Sequence, residues 1–260
     1  GGIPKETPAF TINKVCGSGL KAVMLAAQAI QVGDADIVVA GGMENMSLAP
    51  YFLEKARFGY RMGPGKLQDH MFHDGLWDIV NDFHMGISND LCSEKYKVSR
   101  EDQDRYAAES YRRTLAAINA GKFKDEIMPV EIPQRKGDAV RFEQDECDKE
   151  TSYEILAKMS PAFQKDGKAT AGNASIISDG AAAVVVMSKD KANELGCEIM
   201  ATIGSQASAG LEMKYVLVAP ILAIPKVLQK EGISQDAIDL FEINEAFSGS
   251  TVAVLRELNL

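Results

Sequence analysis

The run Thr11-Ile-Asn-Lys-Val-Cys-Gly-Ser-Gly-Leu20 passes from an apolar, extended segment (Phe10, Ile12, Val15) into a helical one, with Cys16 at the strand-to-helix corner. Behind that corner Leu20, Val23, Met24, Ala27 and Ile30 repeat at helical spacing, and Gly33 predicts the helix end. A thiol placed there faces the unpaired N–H groups and positive dipole end of the helix, which favours the thiolate, the form that attacks carbonyl carbon. Gly17 and Gly19 let the backbone come close to a ligand. Two readings of Cys16 stand side by side: a nucleophile, or a small buried hydrophobe without chemistry, the usual fate of a free cysteine.

The same residues admit a rival. Gly17-Ser-Gly-Leu-Lys-Ala22 fits the G-x-G-x-x-A dinucleotide fingerprint loosely, which would make the chain a Rossmann-type NAD-dependent oxidoreductase. That fold wants an acid at the end of its second strand. Glu44 holds that place after Asp36–Ala40, but the intervening Gly41-Gly42 suggests a tight corner rather than a ribose clamp. A papain-like hydrolase needs a histidine beside Cys16, and the spacing of His70, His73 and His84 does not favour it.

Eight landmarks occur in order: Cys16-Gly-Ser-Gly19, Ala40-Gly-Gly-Met-Glu-Asn-Met-Ser47, Asp74-Gly-Leu-Trp-Asp78, His84-Met-Gly86, Pro161-Ala-Phe163, Thr170-Ala-Gly-Asn-Ala-Ser175, Asp179-Gly-Ala-Ala-Ala183 and Asn244-Glu-Ala-Phe247. With them the chain resembles the thiolase family along nearly its whole length, and His84-Met85-Gly86 is similar to the pocket motif of the short-chain biosynthetic branch. The resemblance implies an α/β fold, the thiolase-like layered αβαβα arrangement with an inserted loop domain. Residues 1–46 and 178–199 would belong to the N-terminal half, 47–177 to the loop domain that binds CoA, and 200–260 to the start of the C-terminal half.

The activity implied is acetyl-CoA C-acetyltransfer, the reversible Claisen condensation of two acetyl-CoA to acetoacetyl-CoA and CoA through an acetyl-cysteine. Cys16 would be the nucleophile, and Asn244 would orient a water in the oxyanion hole. His84 and Met85 would line the acyl and pantetheine pocket, Leu76, Phe163, Ala171 and Ser175 the CoA tunnel, and Ala246 and Phe247 the reacting thioester. Four of these have an ordinary alternative: a core histidine for His84, core packing for Phe163, a turn for Ser175 and a helix cap for Asn244. Lys149 is a candidate for the CoA phosphates. No separate cofactor and no metal are implied. The implied partners are acetyl-CoA, acetoacetyl-CoA and CoA, in fatty acid metabolism of the cytoplasm or mitochondrial matrix, in a homodimer or homotetramer when full length. A non-catalytic CoA-binding protein of the same fold is the alternative.

Departures from the family pattern accompany the likeness. Ile176 stands where many relatives carry Gly, and Lys214-Tyr-Val-Leu-Val-Ala-Pro220 replaces the commoner Met-Gly-x-Gly-Pro stretch, which puts acyl-chain preference in doubt. The family's Gly-Gly-Ala, Gly-His-Pro and Cys-x-Gly-Gly-Gly segments do not occur. The chain is therefore expected to be an internal fragment lacking both termini, inactive or nearly so alone and aggregation-prone at its sheet edges.

Composition agrees with a folded enzyme piece: 46% hydrophobic and 25% charged residues are enough for one large or two small domains. The formal net charge of −9 opposes binding to nucleic acid or an anionic membrane, so a polyanion such as CoA must meet local basic residues. Cys16, Cys92, Cys147 and Cys197 form no metal-ligand or CxxC pattern, which suits a reducing compartment. No stretch is read as a membrane span.

Local signals fix the rest. Thr11 to Gly42 reads strand, helix, buried strand, and Met43 to Gly75 reads as loops with short helices. A capping box at Ser99-Arg-Glu-Asp102 opens a helix running to about Ala120 and closed by Gly121, and Ile127–Pro133 reads as an edge ribbon. Ala181–Met187 is expected as a buried strand or core helix, with Ser188 capping a helix that Gly196 ends. Ile199–Ile203 and Leu240–Ile243 are expected as strands flanking a helix from Pro220 to Lys230, with Asn244 at a second strand-to-helix corner before a helix from Phe247 to Leu258.

Overall fold

The computed structural model describes residues 2–146 and 149–260, so Cys147 lies outside the described residues. In chain order its main elements are helix α1 (Ser18–Val32), strands β1 (Ile37–Asn45), β2 (Tyr51–Phe52), β3 (Gln68–Asp69), β4 (Trp77–Asp78) and β5 (Phe83–His84), and helices α2 (Met85–Lys95) and α3 (Arg100–Asn119). They are followed by β6 (Val130–Ile132), β7 (Val140–Phe142), α4 (Tyr153–Leu156), β8 (Asp179–Met187), α5 (Lys189–Glu194), α6 (Pro220–Glu231) and α7 (Ser248–Glu257). Two compact units divide them. Unit 1 comprises residues 1–77, 177–208 and 223–239; unit 2 comprises 78–176, 209–222 and 240–260.

In unit 1, β1 and β8 form an antiparallel ladder from Ile37 opposite Met187 to Asn45 opposite Asp179. Two sequence landmarks that are far apart in the chain thus lie side by side. Asp179 also accepts the Ser47 N–H at 2.9 Å, and the Ser47 backbone and hydroxyl hold its carboxyl below the usual range. Helix α1 covers part of this ladder with Ala22, Val23, Ala26 and Ile30 over Val38, Ala40 and Val186. Gly19 and Gly42 make the closest approach, since a Cβ on Gly42 would stand 3.2 Å from Gly19 Cα. Their small size therefore serves helix-to-strand packing. Leu20, expected on the packed face, is 72% exposed.

Helix ends follow the local code. Gly33 takes a left-handed conformation, with Gly33 N–H donating to Ile30 and Asp34 N–H to Ala29, which uses carbonyls the helix leaves open. Ser188 caps α5 by accepting the Lys191 N–H, and Gly196 follows at φ +66°.

Three expected strands do not form. Thr11–Asn13 carry no regular structure and lead into a turn at Lys14–Gly17, and Ile199–Ile203 and Leu240–Ile243 carry no regular structure. Each has strand composition, but a strand is completed only by a neighbour that satisfies its backbone groups, and none of the three has one among the described residues. The same shortage leaves β8 a strand but not a buried one: Val184 and Val185 are 50% and 60% exposed. Gly41 and Gly42 lie inside β1 rather than at a corner. Glu44 is an exposed strand residue opposite Gly180, and β1 runs antiparallel to its partner. The dinucleotide reading, which needs a parallel unit, is thereby removed.

The stretch Val15–Val32 is long and apolar enough to cross a bilayer by length and composition, with a mean hydropathy of 1.3 over 18 residues. This corrects the expectation that no stretch reaches that mark. In the fold its helical part, α1, packs one face against β1 and β8, with Ala26 and Ala27 its buried residues.

In unit 2, α3 begins with the expected capping box. Ser99 Oγ accepts the Asp102 N–H and Asp102 accepts the Ser99 N–H at 2.8 Å. Burial alone would raise the Asp102 carboxyl, but Ser99 and the Arg256 guanidinium on α7 outweigh it and bring it to about 2. Helix α3 ends with Gly121 at φ +66°. The ribbon is present as β6 paired with β7, exposed along its length.

Helix α2 is unusual in burying polar residues: Ser88, Asn89 and Ser93 are each 0% exposed, beside Gln103 of α3. Their hydrogen bonds are mutual. Asn89 Nδ2 donates to Gln103 Oε1 at 3.1 Å, Gln103 Nε2 to Ser93 Oγ at 3.2 Å, and Ser250 N–H of α7 to Asn89 Oδ1 at 2.9 Å. A buried polar group without a partner costs about 1–3 kcal/mol, so this network also fixes how the three helices fit. Cys92 is sealed among them, its thiol pushed up to about 12 by burial.

Candidate active site

Cys16 lies in unit 1 and is exposed. The segment before it is a tight turn rather than a strand end: Gly17 N–H donates to Lys14 O at 3.0 Å and Ser18 N–H to Val15 O at 3.1 Å. Ser18 Oγ clamps this turn, donating to Val15 O at 2.7 Å and accepting the Lys14 N–H at 2.8 Å, while Asn13 Oδ1 accepts the Val15 N–H. Val15 is forced to φ +49°, a left-handed conformation that a β-branched residue adopts at a cost. No side chain caps the helix start at Gly17. The sequence thus placed Cys16 correctly at the head of a helix, and the structure substitutes a strained turn for the strand. Leu76, also in unit 1, is half-buried at the end of a π-helical turn, Met71–Leu76. There Asp74 meets His73 at 2.6 Å and His70 at 3.0 Å. The hydrogen bond from His73 is the largest cause holding Asp74 below the usual carboxylate range.

The remaining candidates lie in unit 2, where several converge. His84 is buried, and its Nδ1 accepts the Gly86 N–H at 2.9 Å, which caps α2 and places the ring proton on Nε2. The imidazole stacks on Phe163 with centroids 4.4 Å apart at 14°, and Phe163 meets the buried Phe247 edge-on at 5.8 Å. Met85, half-buried, is the first residue of α2.

The Thr170–Ser175 loop is tied down from both sides. Thr170 Oγ1 accepts the Gly172 and Asn173 N–H groups, and Asn173 Oδ1 accepts the Thr170 N–H at 2.8 Å. Asn173 Nδ2 donates to the buried Asp104 at 2.8 Å, and Asp104 also receives Arg100 at 2.7 Å. Ser175 N–H donates to Ala246 O at 3.0 Å, and Ala174 bridges Phe247, so this loop runs beside the Asn244–Phe247 landmark. Ala171, Ser175 and Asn244 are exposed and Ala246 is half-buried. Asn244 stands four residues before α7 and does not cap it; Phe247 holds the cap position. The altered stretch Lys214–Pro220 enters as a 3-10 helix, Met213–Val218, whose Lys214 carbonyl accepts Ser88 Oγ at 2.8 Å.

Sequence reasoning missed the polar tie-down, because nothing local marks Asn89, Ser93, Gln103 and Asp104 as buried. It also missed Tyr106 and Ser110 of α3, whose hydroxyls both bond Glu245. The available signal was the unusually polar text of α2, and it does not single out partners.

Two expectations arise at this cluster. A Cβ on Gly86 would collide with the Phe163 ring, so Gly86→Ala should destabilise unit 2 by about 1–3 kcal/mol and separate Phe163 from His84. Urea denaturation and near-UV circular dichroism read both changes, and unaltered values would refute the contact. Burial lowers the His84 pKa below its ordinary 6.5, so the unfolded chain binds the proton more readily than the folded one. Stability from this group is therefore complete above about pH 6.5 and falls as the pH drops towards the lowered value. Unfolding free energies measured between pH 7 and 5 should show that fall, and His84→Asn should flatten it.

Family models place these landmarks in a known setting: the thiolase N-terminal domain matches residues 1–190 and the thiolase C-terminal domain residues 197–260. The acetyl-CoA acetyltransferase of Pseudomonas aeruginosa is 53% identical over 258 residues, covering 99% of this chain and 66% of that protein. Among solved structures, acetyl-CoA acetyltransferase from Syntrophomonas wolfei superposes with a TM-score of 0.95 at 40% identity, covering 99% of this chain and 65% of that one. Human mitochondrial 3-ketoacyl-CoA thiolase gives 0.95 at 40%, covering 100% and 66%. The fold is thus an α/β fold of thiolase type. The chain belongs to the thiolase family, and it spans about two thirds of the length of the curated relatives it matches.

Proposed function

We propose that the whole protein is an acetyl-CoA C-acetyltransferase with Cys16 as its nucleophile. The observation that carries this reading is the exposed Cys16 on a strained turn at the head of α1. Its Sγ attacks the thioester carbonyl of acetyl-CoA, the carbon–sulfur bond to CoA breaks, and CoA leaves as the thiol with the proton the cysteine gave up. A second acetyl-CoA loses an α-proton to a base, and its enolate carbon attacks the acetyl-cysteine carbonyl. The new carbon–carbon bond gives acetoacetyl-CoA and returns Cys16. Splitting the condensation into two acyl transfers lowers each barrier.

Asn244, exposed beside the pinned Ala246–Phe247 segment, orients a water that donates to the developing oxyanion, a contribution of about 3 kcal/mol for such a donor. His84 and Met85 line the acyl and pantetheine pocket. Phe163, Ala171, Ser175 and Leu76 flank CoA, and Ala246 and Phe247 border the thioester. Residues 1–46 with 178–199, and 200–260, belong to the two catalytic halves, and 47–177 to the CoA-binding loop domain. Gly-His-Pro and Cys-x-Gly-Gly-Gly, which carry the base and the activating histidine in the family, do not occur in these 260 residues. The 260 residues alone are therefore expected to turn over little. Assembly as a homodimer or homotetramer, in the cytoplasm or mitochondrial matrix, belongs to the same proposal, as do acetyl-CoA, acetoacetyl-CoA and CoA as partners.

Peptide mass spectrometry after exposure of the whole protein to acetyl-CoA tests the reading. One acetyl group on Cys16, lost again when CoA is added, is the expected result. A folded protein whose Cys16 stays unmodified would show a CoA binder rather than an acyltransferase.

A further inference from the structure

Tyr106 and Ser110 stand one turn apart on α3, and both donate to a single carboxylate. Tyr106 Oη meets Glu245 Oε1 at 2.5 Å and Ser110 Oγ meets Glu245 Oε2 at 2.7 Å. Residues four apart share a helix face, so the two hydroxyls form a fixed fork that engages both oxygens of Glu245. Bonds of this kind to an ionised acceptor are the stronger class. Burial, followed by the Glu245 carboxylate, raises the Tyr106 hydroxyl above its ordinary range and keeps it a donor.

The chain on either side of Glu245 differs. Downstream it is pinned: Ala246 O accepts the Ser175 N–H, Phe247 bridges Ala174, and Ser248 donates through N–H and Oγ to Asn173 O at 3.0 and 3.1 Å. Upstream, residues 240–244 have no regular structure, and Leu240 is 87% exposed. Glu245 is therefore the point at which the strand-less approach becomes a fixed backbone, and Asn244 is the residue adjoining it.

We infer that Glu245 is a positioning residue: clamped by Tyr106 and Ser110 of α3, it sets the direction in which Asn244 presents its carboxamide to the water of the condensation step. This inference rests on the proposed role of Asn244. A displacement of about an ångström in a reacting group is enough to lower turnover up to on the order of a hundredfold, and without the clamp Asn244 would be tethered on one side only.

The test uses the whole protein and the variants Glu245→Ala, Tyr106→Phe with Ser110→Ala, Glu245→Gln and Asn244→Ala. Condensation kinetics, Cys16 acetylation and thermal midpoints are measured for each. Glu245→Ala and the α3 double variant should lower kcat by about ten- to a hundredfold, with KM for acetyl-CoA changed less than about twofold and Cys16 still acetylated. Glu245→Gln should recover most of the loss, since its Oε1 still accepts from Tyr106 and its Nε2 can donate to Ser110 Oγ. Parent-like kcat in Glu245→Ala, with Asn244→Ala impaired, overturns the inference while leaving the role of Asn244 standing. Parent-like kcat in Asn244→Ala overturns that role and the inference with it. A loss in which kcat, KM and thermal midpoint fall together, unrelieved in Glu245→Gln, makes Glu245 a structural brace and also overturns it.

Discussion

Cys16→Ala should leave a normally folded protein whose acetyl-transfer turnover is lower by on the order of 10⁵-fold, the scale of losing a catalytic nucleophile. Folding is spared because Cys16 is exposed and the turn that carries it is closed by Lys14, Val15, Gly17 and Ser18, none of which bonds its sulfur. The comparison is made on the whole protein with a thermal midpoint within about 2 °C of the parent, since substitutions at exposed sites usually change stability by less than about 0.5 kcal/mol. Retention of turnover in a folded Cys16→Ala protein would falsify the nucleophile assignment. Substitution of Cys92 cannot give the same result, because its thiol is sealed and held protonated far above neutral pH.

The largest effect on stability is expected at Gly249, in the first turn of α7. A Cβ there would press against Ser93 Oγ and stand 2.6 Å from Asn89 Oδ1 and 2.7 Å from Gln103 Oε1. Those groups are buried and bonded to one another, so none can withdraw without leaving a polar atom unpaired. Overpacking of about 1–3 kcal/mol combines with a similar cost for at least one lost hydrogen bond, so Gly249→Ala should destabilise unit 2 by about 2–6 kcal/mol. Alanine is otherwise the better helix former by about 1 kcal/mol, so the sign of the change separates the two effects. Denaturant unfolding with hydrogen exchange along α7 measures it, and a stabilised Gly249→Ala protein would show that the cluster has room to spare.

What could be read from the sequence was whatever a few consecutive residues decide. The Ser99 capping box, the Ser188 cap and the stops at Gly33, Gly121 and Gly196 are each closed by bonds to residues at most five positions away, and all appear as expected. Strands at 11–15, 199–203 and 240–243 were expected on composition and did not form, because pairing depends on residues elsewhere in the chain. Cys16 was found by its position before a helix, yet the left-handed Val15 that shapes its turn has no signature in a valine. Helix α2 was harder still. Ser88, Asn89 and Ser93 look like an exposed face until Gln103 and Ser250 are known to meet them. The Glu245 fork joins residues 135 and 139 positions apart, beyond the reach of any local pattern.

The nine-residue ladder of β1 and β8 is a template as much as an element. Each strand is bonded along one margin only among the described residues, and Val39 with Val185 on one face and Val184 on the other leave oily surface beside a row of open amides and carbonyls. In water such a ribbon recruits whatever chain can zip onto it, its own copies included, and at raised concentration scattering should grow before any helix melts. Whatever segment shields that margin in the working molecule thereby acts as its guardian against clumping as well as a layer of its architecture.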